Sequence, residues 1–186
     1  MLQITPSSRL NFVLMSMQDA DLLHLVDQDE EVMRYLNGGK RSSMQQIQDV
    51  MMPRMALYRD EQTGFGIWQV RRSEDNCYLG WVLIRPMHFN TDSPSKDDAE
   101  IGWRFMRPYW GQGYASEAAK AIACAVFQHN PQLRFLSATA TPDNAGSIAV
   151  MKKLGMDYVK HYVHRDSFGE LDAVLYRRSA QGLILR

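Results

Sequence analysis

The stretch that most constrains the fold is PYWGQGYASEAAKAIACAVF, Pro108 to Phe127, where Gly-Gln-Gly runs directly into an Ala-rich segment with helical spacing. A helix start leaves its first backbone N–H groups without intrahelical partners, and Ser, Thr, Asp or Asn ordinarily satisfies one of them. Here the approach is Trp110, Gly111, Gln112 and Gly113, none of which carries a strong capping side chain. Glycine permits positive φ and lets another molecule come close to the main chain. Free N–H groups backed by a helix dipole form an anion seat, with phosphate the natural guest. A tight strand-to-helix turn that needs glycine for steric reasons explains the same residues. Two nucleotide-binding patterns do not fit: Ser116 stands where the dinucleotide fingerprint wants a third Gly or Ala, and no Gly-Lys-Ser/Thr follows.

The segments around this turn set the fold class. AEIGWRFM leads into it as a strand, with Ala99, Ile101, Trp103 and Phe105 on one face and Glu100, Gly102, Arg104 and Met106 on the other. After the helix, stopped by Asn130-Pro131, LRFLSATA reads as a strand and TPDNAGSIAVMKKLG as a short helix. Asp143 or Asn144 can cap that helix, and Gly155 suits its left-handed end. Earlier in the chain, a strand over Arg9–Met17 precedes three helices. Asp19 or Asp21 caps the first, Asn37-Gly38-Gly39 ends the second, and Ser42 or Ser43 opens a third that Pro53 kinks or divides. FGIWQVRR and CYLGWVLIRP form a hairpin around SEDN, and DYVKHYVHR and LDAVLYRR another around Asp166–Glu170. Helices followed by a mostly antiparallel sheet, itself interrupted by two helices, predict an α+β fold in a single domain over residues 1–186.

Composition excludes several functions. Lys plus Arg equal Asp plus Glu at 21 each, which argues against direct nucleic-acid binding. The N-terminus predicts no signal peptide, and no apolar segment is long enough to span a bilayer. Cys77 and Cys124 lack ligand-type spacing and read as reduced thiols of a cytoplasmic protein. His161 and His164 point to opposite faces of a strand, and DSPSKDDAE lacks calcium-loop spacing, so no metal is expected. The Met-rich VMMPRMALY is expected in the core or along an acceptor groove, and Trp68 and Trp81 as core or cleft walls.

AEIGWRFMRPYWGQGYASEA followed by TPDNAGSIAVMKKLGM resembles the GNAT superfamily of N-acetyltransferases over about Arg9 to Arg177. The subgroup most similar in pattern contains the ribosomal-protein N-terminal alanine and serine acetyltransferases. The resemblance implies a mixed, mostly antiparallel central sheet flanked by helices on both faces. It also implies direct acetyl transfer from acetyl-CoA, as co-substrate, to a primary amine. A protein N-terminal α-amino group is the leading acceptor. A small amine (polyamine, amino acid or drug-like amine) and a non-catalytic acyl-CoA-binding module are the alternatives, and a homodimer is left open. The family writes its phosphate loop Q/R-x-x-G-x-G/A; here Pro108 stands at its first position, with Arg107 one residue earlier, while Trp110 to Ala115 keep the core. By resemblance, Trp110, Gly111, Gln112, Gly113, Tyr114 and Ala115 hold the pyrophosphate, and Phe105 and Met106 offer main-chain bonds to pantetheine.

The chemistry poses two protonation problems. An alkyl amine with pKa near ~10 must lose a proton before it attacks, and a thiolate leaving group gains from a donor. Glu100, on the strand that leads into the loop, is the candidate base, with Asp98 a weaker one and a structural carboxylate paired across the sheet the other reading. Arg104 shares its face but lies ~13 Å along the strand. Asn144 and Ser147, three apart on one helix face, resemble the subgroup's Asn-x-x-Ser, with Asn144 on pantetheine and Ser147 near the thiol; a capping pair is the other reading. Lys152 and Lys153 suit either cofactor phosphates or the helix C-terminus.

Overall fold

Alternating and aromatic-rich segments supply seven strands among the residues that the computed structural model describes, 1–166 and 169–182. They are β1 (Leu10–Leu14), β2 (Gly66–Arg72), β3 (Tyr78–Pro86), β4 (Asp98–Phe105), β5 (Phe135–Ala140), β6 (Asp157–Asp166) and β7 (Gly169–Ser179). The helices are α1 (Ala20–Val26), α2 (Glu30–Asn37), α3 (Met44–Gln46), α4 (Met52–Ala56), α5 (Tyr114–His129) and α6 (Ala145–Lys153). One sheet runs β1-β2-β3-β4-β5-β7-β6. Every neighbouring pair is antiparallel except β4 with β5, which is parallel.

Two local expectations need correction, and a third, the division of the helix around Pro53, takes a specific form. The first strand is Leu10–Leu14 rather than Arg9–Met17, with the Met15 N–H adding one bond to the Ile67 carbonyl. Asp19 holds the N-cap place of α1, yet its carboxylate turns back to accept from the Ser16 N–H and hydroxyl, so the preceding turn takes the cap. The third helix is not continuous: a π-helical turn, Ile47–Met51, separates α3 from α4. Pro53 has no N–H to donate, and its ring would meet the carbonyl four residues back in a regular helix, so the wider turn relieves the conflict. Ser43 opens α3 in a capping box with Gln46.

The sheet is covered on both faces. On one, α5 packs against β3 and β4, and its Ala118, Ala119 and Ala123, all fully buried, let the helix lie close over Val82, Ile84 and Ile101. On the other, the α1–α4 segment places Leu23, Val26, Ile47, Met52 and Met55 against Ile67, Tyr78 and Trp81. Each fully buried Ile or Leu contributes about 1.5–3 kcal/mol. Met52 and Met55 thus lie in the core, and Trp68 is buried with its indole donating to the Gly64 carbonyl. The expected turn at Asp166–Glu170 includes residues 167–168, which lie outside the described residues.

Candidate active site

The parallel pairing of β4 and β5 covers only Asp98–Glu100 against Phe135–Ser137, although β4 continues to Phe105 and β5 to Ala140. Past Glu100 the two strands part, and main-chain groups of β4 on that side lose their partner strand. A cavity of about 810 Å3 opens there. Its walls are the free part of β4, the glycine turn with the start of α5, and α6 on one side. On the other side stand α2, α4 and Trp81, Leu83 and Arg85 of β3.

The glycine turn is built as an open helix mouth. Gly111 (φ 73°) and Gly113 (φ 83°) are both left-handed, and Gly113 is the N-cap of α5 with no side-chain capping bond. The first intrahelical bond runs from the Glu117 N–H to the Gly113 carbonyl, so the amides of residues 113–116 precede the ladder. Side chains hold the turn from behind: the Trp110 indole donates to the Phe105 carbonyl at 2.7 Å and Gln112 to the Pro108 carbonyl at 2.8 Å. Glu117 accepts from the Ser7 hydroxyl (2.7 Å), the Arg9 amide (3.1 Å) and Arg9 Nε (2.8 Å). Arg9 also stacks over the Tyr114 ring and donates to the Gln112 carbonyl. Sequence reasoning missed this Arg9–Glu117 anchor, and the acidic first turn of α5 was the signal for it. Arg107, one residue before the loop pattern, pairs with Asp29.

At the point of divergence, Glu100 faces the α1–α4 side and pairs with Arg85 Nε at 2.8 Å. Arg85, which lines the cavity, lies over the Phe89 and Tyr58 rings, and burial pushes the Tyr58 phenol up in pKa. Neither Glu100 nor Asp98 is among the residues that line the cavity: Glu100 is paired across the sheet with the lining residue Arg85, while Asp98 accepts from Ser137 Oγ at 3.0 Å and pairs with Arg177 at 2.7 Å. Desolvation raises its pKa in spite of both partners. On the α6 side, Asn144 caps the helix, its Oδ1 accepting from the Ser147 amide at 3.0 Å. Asn144 and Ser147 both line the cavity, as does Lys153. Thr141, another lining residue, keeps a buried hydroxyl oxygen without a partner among the described residues. Arg104 pairs with the fully buried Asp27, a contact that nothing in the local sequence announces.

Among the described residues no group of three or more His, Cys, Asp or Glu could hold a metal ion. His161 pairs with Asp172, and the His164 side chain lies outside the described residues. No described helix is long and apolar enough to cross a membrane. The donor set instead suits an elongated molecule with an anionic end. Unmatched amides and a helix dipole face its phosphates, an unpaired strand edge its amide groups, and the Thr141 hydroxyl a further polar atom.

Comparison with known proteins agrees with this arrangement. The Bacillus subtilis (strain 168) protein "Uncharacterized protein YkkB" is 31% identical over 154 residues, which is 79% of this chain and 82% of the relative. The RimL ribosomal L7/L12 alpha-N-protein acetyltransferase, solved in complex with coenzyme A, superposes with a TM-score of 0.71 at 17% identity, over 95% of this chain and 97% of that one. The aminoglycoside acetyltransferase AAC(6')-Ib, also solved with coenzyme A, gives 0.72 at 15% identity, over 92% and 95%. At such identities the two structures share a fold with this chain. The model of the acetyltransferase (GNAT) domain matches residues 9–157, and the chain belongs to the GNAT acetyltransferase family.

Proposed function

We propose that residues 1–186 form one acetyltransferase domain that moves the acetyl group of acetyl-CoA directly to a primary amine, a protein N-terminal α-amino group being the acceptor. The observation that carries this reading is the uncapped mouth of α5 opening onto the cleft where β4 leaves β5. The amides of residues 111–115 receive the pyrophosphate, with Trp110, Gln112 and Tyr114 keeping the turn in shape. The main chain of Phe105 and Met106 runs beside the pantetheine arm. Asn144, whose Oδ1 is committed to the helix cap, uses its NH2 group on that arm. Ser147 donates a hydrogen bond toward the sulfur. The new N–C bond forms as the C–S bond breaks. Glu100 takes the amine's proton through water, and the sulfur gains a proton as it leaves.

The two structural relatives act on different amines, so the fold does not choose between them. The cavity's charged lining residues are Glu31, Arg54, Arg85, Arg104 and Lys153, of which Arg85 is paired with Glu100 and Arg104 with Asp27. Cys77 and Cys124 are thiols and not disulfide partners, which suits a reducing compartment, and the reading places the chain in the cytoplasm.

Thiol release from acetyl-CoA, measured with N-terminal peptides and small amines in parallel, tests the reading. Peptides should support turnover. Glu100→Gln should lower kcat by about 10²–10⁴-fold while CoA affinity stays the same. Binding of CoA with no transfer to any amine would favour the acyl-CoA-binding module instead.

A further inference from the structure

Two buried donors on the acceptor side of the cavity have nothing to donate to. Trp81 and Arg104 stand opposite each other in the β3–β4 register, the guanidinium 4.9 Å from the indole centroid. Both line the cavity, and Trp81 is only 7% exposed. Its indole Nε1–H and the Nε–H of Arg104 are each buried without a hydrogen-bond partner among the described residues. Trp68 and Trp110, by contrast, both donate to main-chain carbonyls. A buried N–H left idle is costly, and both of these belong to side chains that line the cavity, where a small side-chain shift would bring them to a ligand atom.

The chemistry of that atom follows from the charges. Arg104 already pairs with Asp27, which is fully buried and also accepts from the Ser42 hydroxyl. The missing element is therefore a hydrogen-bond acceptor and not a counter-charge. A carboxylate would add uncompensated negative charge to a balanced buried pair. An uncharged oxygen satisfies both donors. Its place follows from the strand: Arg104 is four residues past Glu100, ~13 Å at ~3.3 Å per residue. With the amine near Glu100 across one water, the oxygen lies some two residues of extended chain away, ~7 Å. Gly102 lies between them, and a Cβ there would come no closer than 3.9 Å to its neighbours, so the floor is clear.

We propose that Trp81 and Arg104 form a carbonyl subsite, which holds an uncharged oxygen of the acceptor about two residues from the reacting amine, as the second carbonyl of a peptide N-terminus would be. The inference rests on the acetyltransferase reading above and narrows its acceptor.

The test uses the CoA-loaded protein with indole ¹⁵N labels and Trp81→Phe to assign the signal, so that no turnover is needed. An N-terminal tripeptide amide should move the Trp81 Nε1–H resonance downfield. A polyamine, which has no oxygen, should leave it in place. The same tripeptide with its second amide replaced by an uncharged trans-alkene should bind about tenfold more weakly than the parent, and Trp81→Phe should abolish that difference. The alkene peptide keeps the comparison decisive even if the variant folds poorly. A shift with an amino alcohol and none with the peptide would overturn the peptide assignment in favour of a hydroxyl-bearing amine. If the peptide binds, seen in other resonances, while Trp81 stays silent, the subsite is wrong and the transfer reading survives. If no amine binds the loaded protein, both fall.

Discussion

Glu117 shows how a single side chain sets the mouth of α5. Burial alone would raise its pKa, but bonds from Ser7 and Arg9 outweigh burial and hold it below the usual carboxylate range. Its charge-assisted bonds are worth about 1–2 kcal/mol, so Glu117→Gln should lower Tm by several degrees at neutral pH. The sign with pH follows from the depressed folded pKa. The stabilisation is complete above the unfolded carboxylate's pKa and disappears as pH falls through the folded one. Wild-type and variant melting curves should therefore separate at pH 7 and converge on acidification. The two turn glycines were legible because positive φ restricts residue type. The partner of Glu117 was not, since Arg9 stands more than a hundred residues away and only the sheet brings it near. Glu100 was legible as a face residue of its strand, and Arg104 was rightly excluded as its partner. Arg85 became its partner only through the β3–β4 register.

The β3–β4 pair carries the wall of the site, and its close approach depends on Gly80. A Cβ there would lie 2.3 Å from the Arg104 carbonyl oxygen and 2.6 Å from Phe105 Cα, on a backbone at φ +151°. Both obstacles are main chain and cannot swing aside. Gly80→Ala should push β4 outward, cost about 1–3 kcal/mol or more, and weaken CoA binding together with thermal stability. A melting curve and a CoA titration on the same sample read both. The link between α1 and β4 is the Asp27–Arg104 pair. Asp27→Asn would leave a buried guanidinium without its counter-charge and should cost about 3–5 kcal/mol, measured by urea unfolding. Elements with a strong period, β4 and α5 above all, could be read directly. Pro53 announced the break in the third helix but not its π-helical form, which has no period of its own, and Asp19 misled because its carboxylate had a nearer donor in Ser16.

Across the whole molecule, the α+β class and both hairpins could be read from alternation and turn residues. The place where β4 and β5 part could not. Both strands continue past Glu100 and Ser137, to Phe105 and Ala140, so nothing local marks the end of their pairing. The strand order β5-β7-β6 is equally non-local. Yet the split, with the open helix mouth at its side, is what turns a covered sheet into a binding site. Calorimetric titration with CoA, 4'-phosphopantetheine and pantetheine tests that claim most directly. The account predicts measurable heat from CoA, weaker binding once two phosphates and the nucleoside are gone, and at least a hundredfold loss for pantetheine, which brings no anion to the α5 amides. Equal affinity for CoA and pantetheine, or no heat from CoA at all, would contradict it.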